Sequence, residues 1–204
     1  MNETRLYICI LPGDIASGDE KRLLGGLPDF RREKAKKYMR CRDRILSAAA
    51  WRLVRYAVRE LAGLDVFSFE VYEDELRKPY FAEDTGVHFN LSHCEGAVAC
   101  AVSRYPCGVD IEALRTADDA VMRRFIPDRY EQLMRITDEV QKNIFYTQAW
   151  TEAESIYKSG VAEGGALPAG YSVYNHSKDI YYIALCARTV QTELIEVDIE
   201  TILS

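Results

Sequence analysis

Three short segments carry residue types suited to anion or metal chemistry. The first is Gly108-Val109-Asp110-Ile111-Glu112. Side chains alternate along a strand, so Asp110 and Glu112 share one face while Val109 and Ile111 enter a core. Two adjacent carboxylates repel unless a cation lies between them, and oxygen ligands suit a hard divalent ion. By itself, a D-x-E pair is a common polar strand face. The second segment is Trp150-Thr151-Glu152-Ala153-Glu154-Ser155-Ile156-Tyr157-Lys158. Spacing of four sets Trp150, Glu154 and Lys158 on one helical face. Glu154 would add a third carboxylate and Lys158 a charge for a phosphate, although such a pair alone is usually a surface ion pair. The third is His88-Phe89-Asn90-Leu91-Ser92-His93, preceded by Arg77-Lys78-Pro79. A strand ending in a hydroxyl and an imidazole, with Lys78 near, suits a phosphate. A lone histidine at a strand end is more often structural.

These segments need elements to hold them. Leu6 to Leu11 reads as a strand, followed by a short helix near Glu20 to Leu24. From about Pro28 to Leu61 the composition is helical. Ile45, Ala48, Ala49, Leu53, Tyr56, Ala57 and Leu61 keep the 3.6 period, and Gly63 stops the helix. Phe67 to Tyr72, Val87 to Leu91 and Ala97 to Val102 are strand-sized apolar stretches separated by turn residues. The order then repeats. Gly108 to Glu112 is a strand; about Ala117 to Phe125, Asp128 to Thr137 and Glu139 to Tyr157 are helices; Tyr171 to Tyr174, Tyr181 to Ala187 and Leu194 to Ile199 are strands. The expected fold is α+β, a pseudo-twofold pair of similar halves, residues 1–105 and 106–204, with the site between them. Gly160 to Gly170, rich in glycine, is expected to be a mobile loop over that site.

Composition sets the outer bounds. With 204 residues, 48% hydrophobic and 28% charged, the chain can bury a sizeable core and is not disordered overall. No apolar run approaches the roughly 18 residues of a membrane span. Met1 to Arg5 lacks the layout of a secretion signal, so a cytoplasmic protein with no membrane partner is expected. Cys9, Cys41, Cys94, Cys100, Cys107 and Cys186 are scattered and read as reduced thiols. Cys94 beside His93 reads as a turn residue rather than a nucleophile, because no second base is evident. The net charge is −6, yet eleven of the 26 basic residues lie between Arg31 and Arg59, opposed there only by Glu33 and Asp43. A local basic helix on an acidic protein points to an anionic ligand or partner. No nucleic-acid-binding motif is present, so nucleic acid is not the expected partner.

Together and in this order, the segments resemble the 4'-phosphopantetheinyl transferases of the surfactin-synthetase-activating type. That family's signature is a G-[IV]-D-[IV]-E strand followed about forty residues later by W-x-x-K-E-[AS]-x-x-K, with K-P and F-N-[IL]-S-H upstream. Here they read GVDIE at 108–112, WTEAESIYK at 150–158, KP at 78–79 and FNLSH at 89–93. Arg31-Arg32-Glu33-Lys34 and Asp43 fall where the family has its N-terminal helix, and the resemblance spans roughly residues 5 to 200. It implies an enzyme that takes coenzyme A and moves its 4'-phosphopantetheine arm onto a serine of an acyl or peptidyl carrier protein. It also implies that Asp110, Glu112 and Glu154 hold Mg2+, that Lys158 and His93 contact the pyrophosphate, and that Lys78 and Ser92 bind the 3'-phosphate with Arg31 and Lys34 nearby. Either Glu154 or a water on the metal would be the base. Two internal halves make a monomer sufficient, and the basic helix would face the acidic carrier.

The chain departs from the pattern at named positions. The first motif lysine is Ala153, an arginine common in the long helix is Leu46, and the glycine before Lys-Pro is Arg77. The last part, from Tyr171, is shorter than the family's usual strand set. A coenzyme A-binding relative without transferase activity is therefore the alternative, followed by a docking module built on the basic helix.

Overall fold

The computed structural model describes residues 4–13, 17–74, 78–162, 166–188 and 192–204. In chain order the first half runs β1 (Thr4–Ile10), α1 (Ser17–Gly25), α2 (Asp29–Lys36), α3 (Cys41–Ala62), β2 (Val71–Glu73), β3 (Pro79–Phe81), β4 (His88–Cys94) and β5 (Ala97–Ser103). The second continues as β6 (Gly108–Ala113), α4 (Asp119–Phe125), α5 (Pro127–Met134), α6 (Glu139–Ser159), β7 (Ser172–Lys178), β8 (Tyr181–Ala187), β9 (Leu194–Glu196) and α7 (Ile199–Leu203). The fold is α+β, as expected. Among the described residues no helix is long and apolar enough to cross a membrane.

Strand order repeats. β1 and β4 both pair antiparallel with β5, and β6 and β7 both pair antiparallel with β8. In each case a first strand joins the last strand of a later hairpin. The end of the chain then returns: β9 runs parallel to β1 and completes the order β4-β5-β1-β9, and α7 packs on α3.

Burial explains why β1 is an unbroken apolar run from Leu6 to Ile10. Tyr7 and Cys9 face α3 with Val98, Cys100 and Val102 of β5. Leu6 and Ile8, with Ala97, Ala99 and Ala101, face Val109, Ile111, Ile183 and Leu185 of the second sheet. A strand covered on both faces has no side left for polar residues. The alanines of β5 keep the two sheets close.

Local chemistry corrects several expected boundaries. The helix expected from Pro28 to Leu61 is two helices, α2 and α3, separated at 37–40. Here cations crowd together with few apolar residues to anchor a helix, and the Arg44 guanidinium donates to the carbonyls of Tyr38 and Met39 at 3.0 Å each. The strand expected from Phe67 is first a 3₁₀ turn, Val66–Ser68, because the Asp65 carboxylate accepts from the Phe67 amide at 3.0 Å. The strand expected to reach Ile199 stops at Glu196, since Asp198 caps α7 through the Thr201 amide at 2.8 Å. Gly63 does end α3, in the left-handed region at φ 69°.

One buried cation ties helices together. Arg52, 6% exposed, donates to the carbonyls of Leu23 at 2.9 Å and Arg22 at 2.8 Å, at the end of α1. Arg52→Met keeps the packing stem and strands both carbonyls, a loss of about 1–3 kcal/mol. Urea denaturation is expected to show the midpoint falling accordingly; an unchanged midpoint refutes the tie.

Candidate active site

The site begins with how closely α6 lies on β6. Asp138 caps α6 through the Gln141 amide at 2.8 Å, and Gly160 ends it with φ 69°. Thr147, Thr151, Ser155 and Ser159 recur every four residues and are buried. Each hydroxyl returns to a carbonyl of its own helix: Asn143 at 2.8 Å, Thr147 at 2.6 Å, Glu152 at 2.8 Å and Ile156 at 2.6 Å. No hydroxyl is left unsatisfied, and the small side chains let helix backbone meet sheet. Gly108 completes the contact, because a Cβ there would run into the Ser155 carbonyl and the Ser159 amide.

That approach brings Glu154 and Lys158 to Asp110. The neighbouring edge strand β4 adds its own side chains: Asn90 Oδ1 accepts from the Val109 amide at 2.8 Å, and Ser92 Oγ donates to Asp110 Oδ1 at 2.7 Å. Lys158 Nζ lies 2.5 Å from the same Asp110 oxygen, 3.1 Å from Ser92 Oγ and 3.9 Å from Glu154 Oε2. Asp110 is 3% exposed, and its Oδ2 is buried without a hydrogen-bond partner among the described residues. Burial raises the pKa of Glu112 and of Glu154, and the Asp110 charge raises both further. Arg115 pairs with Glu112 at 3.0 Å.

Among the described residues no three Asp, Glu, His or Cys side chains are gathered as a metal shell. The Lys158 ammonium stands among the carboxylates instead. Their chemistry nonetheless fits a hard cation: all three are oxygen donors, they repel one another, and Asp110 Oδ2 is buried and unpartnered.

Beside Asp110 opens a cleft with about 830 Å³ of empty space, solvent at its mouth included, lined by Arg31, Lys34, Lys78, Asn90, His93 and Lys158 among others. Arg31 lies flat over Trp51, 4.1 Å from the ring centroid, and burial lowers its pKa to about 10. Lys34 and Arg31 both reach Glu73 on β2, the latter at 3.4 Å. Lys78 donates to the carbonyls of Cys107 at 3.1 Å and Ser159 at 3.0 Å, and burial lowers its pKa. His93 reaches solvent, yet crowding around its ring lowers its pKa, and the Lys158 ammonium adds to this.

Five of the expected phosphate-binding residues (Arg31, Lys34, Lys78, His93 and Lys158) thus line one cleft. Ser92 lies beneath it, its hydroxyl engaged by Asp110 and Lys158. Leu46, on α3, is 4% exposed and part of the core. Ala153 is half-buried on α6, one residue before Glu154. Arg77 and residues 163–165 of the expected loop lie outside the described residues.

One reading changes. The basic run is not a free face: Arg44 pairs with Glu20, Arg55 with Asp65, Arg42 with Glu95, and Arg52 is internal. Local counting overlooked these acids because they are distant in sequence. Glu73, Asn90 and Arg115 were also missed. The hydroxyl stripe on α6 was visible as a spacing of four, with nothing to say it was buried. All six cysteines are unpaired, and burial pushes the Cys94 thiol up to about 12, so it is not a thiolate nucleophile.

No family model matches the chain. It is 28% identical over 165 residues to a 4'-phosphopantetheinyl transferase of Bacillus subtilis, covering 80% of this chain and 73% of that one. To 4'-phosphopantetheinyl transferase Sfp of Bacillus subtilis (strain 168) it is 25% identical over 174 residues, 84% and 77% of the respective chains. To 4'-phosphopantetheinyl transferase HetI of Nostoc sp. (strain PCC 7120) it is 35% identical over 97 residues, 46% and 40%. The chain is thus similar over much of its length to several 4'-phosphopantetheinyl transferases. Sfp-type transferases are among these relatives, as the motifs implied.

Proposed function

We propose that this protein moves the 4'-phosphopantetheine arm of coenzyme A onto a serine of an acyl or peptidyl carrier protein and releases adenosine 3',5'-bisphosphate. The observation that carries this reading is the convergence of Asp110, Glu154 and Lys158 beside a cleft lined by Arg31, Lys34 and His93. An acidic cluster for a metal and a basic cleft for phosphates, side by side, are what a pyrophosphate-bearing substrate needs.

Arg31 and Lys34 bind the 3'-phosphate on the cleft wall that Lys78 builds, with Ser92 beneath. Lys158 and His93 donate to the pyrophosphate oxygens. Asp110, Glu112 and Glu154 would hold Mg2+, which would neutralise the charge that grows on those oxygens. The carrier serine oxygen forms a new bond to the phosphorus bearing the pantetheine arm, and the bond to the departing adenosine 3',5'-bisphosphate breaks. Glu154, at the edge of the cleft beside Lys158, takes the serine proton.

Mass spectrometry of an apo carrier protein incubated with coenzyme A, Mg2+ and this protein tests the reading. The expected product carries one phosphopantetheine, and a chelator stops its formation. Unmodified carriers across acyl and peptidyl types refute it and favour the coenzyme A-binding alternative, to which Ala153 points. In titration calorimetry, dephospho-coenzyme A is expected to bind on the order of tenfold more weakly than coenzyme A, since it lacks one charge-assisted contact. Equal affinities remove Arg31, Lys34, Lys78 and Ser92 from the 3'-phosphate.

A further inference from the structure

We infer that Glu73 is an internal counter-anion: its carboxylate stands in the seat that a phosphate monoester takes between Arg31 and Lys34, and so sets the affinity and selectivity of the cleft for that phosphate. The inference takes the source of the phosphate from the proposed coenzyme A reading, but the seat itself comes from the geometry.

Arg31 and Lys34 lie one turn apart on α2, and both reach a single oxygen, Oε1 of Glu73, which comes from β2 across the cleft. Two cations converging on one oxygen make an anion seat. Glu73 does not hold Arg31 in place, because the guanidinium is buried and stacked 4.1 Å over Trp51. Nor does it satisfy the group, since Arg31 Nε is buried with no hydrogen-bond partner among the described residues. A phosphate brings more charge and three oxygens to the same place, so it suits this donor set better than one carboxylate oxygen does.

The other cleft cations have internal partners of a different kind. Lys78 is held by two backbone carbonyls, and Lys158 by the buried Asp110. Glu73 is instead about a third exposed and sits on the separate two-stranded β2–β3 hairpin. It can turn to solvent without breaking a sheet. A carboxylate and a phosphate cannot share the seat without repulsion, so a ligand's phosphate must displace Glu73. A ligand without that phosphate leaves Glu73 where it is.

Titration calorimetry of wild type and Glu73→Gln with coenzyme A, dephospho-coenzyme A and inorganic phosphate tests this. The variant is expected to bind coenzyme A on the order of fivefold tighter, with dephospho-coenzyme A unchanged and inorganic phosphate tightened as well. Unchanged or weaker coenzyme A binding overturns the inference and marks Glu73 as a structural tie, as does equal tightening of both coenzyme forms. If neither coenzyme form binds either protein while the variant gains affinity for inorganic phosphate, the counter-anion stands and the coenzyme A reading falls. If phosphate is not gained either, both fall. Should Glu73→Gln fail to fold, Glu73→Asp, whose carboxylate is drawn back by one methylene, is expected to shift affinities in the same direction.

Discussion

Asp110→Asn is expected to lower carrier modification on the order of a thousandfold, about 4 kcal/mol of lost transition-state stabilisation, while the protein still folds. Asparagine keeps the size of the side chain and an oxygen to accept from Ser92, so the 2.7 Å contact survives. What disappears is the charge. Without it the 2.5 Å Lys158 contact is no longer an ion pair, and the proposed metal site loses the charge of its most buried ligand. Near-wild-type denaturation with abolished transfer, read by carrier mass spectrometry, is the expected pair of results. Full activity in Asp110→Asn overturns the assignment of the acidic cluster. Coenzyme A binding without added metal is expected to change less than transfer does, because Arg31 and Lys34 lie on a different wall of the cleft.

Gly108→Ala is expected to damage both fold and function, although glycine carries no chemistry. Its added methyl meets helix backbone rather than a movable side chain, namely the Ser155 carbonyl, the Ser159 amide and the Lys158 carbonyl carbon. Either α6 lifts from β6 or the strand recedes. Overpacking of this kind costs about 1–3 kcal/mol, which urea denaturation detects. Lifting α6 also carries Glu154 and Lys158 away from Asp110, and a displacement of about 1 Å costs on the order of a hundredfold in rate. Transfer is thus expected to fall further than stability alone explains. A variant with wild-type activity refutes the close approach of α6 as the device that assembles the site.

Much of this protein was legible before folding was considered. Alternation along GVDIE placed Asp110 and Glu112 on one face and Val109 and Ile111 in the core, because strand geometry is local. The spacing of four did the same for Glu154 and Lys158 on α6. Gly63 ended α3 because the left-handed conformation that closes the helix carries no Cβ penalty in glycine. The joint motifs resembled a family whose members match the chain over much of its length.

Tertiary structure alone decided the rest. That Lys158 lies against Asp110 depends on two small surfaces meeting, the Thr147-Thr151-Ser155-Ser159 stripe and Gly108, which are well separated along the chain. That Arg31 and Lys34 share Glu73, and that Arg44, Arg55 and Arg42 pair with Glu20, Asp65 and Glu95, depends on pairings a local charge count cannot see. Sequence periodicity determined which face each side chain occupies on its own element. Which faces meet was decided only when the apolar sides of two sheets and the long helix α3 were buried together, since that burial is the term that acts between residues distant along the chain.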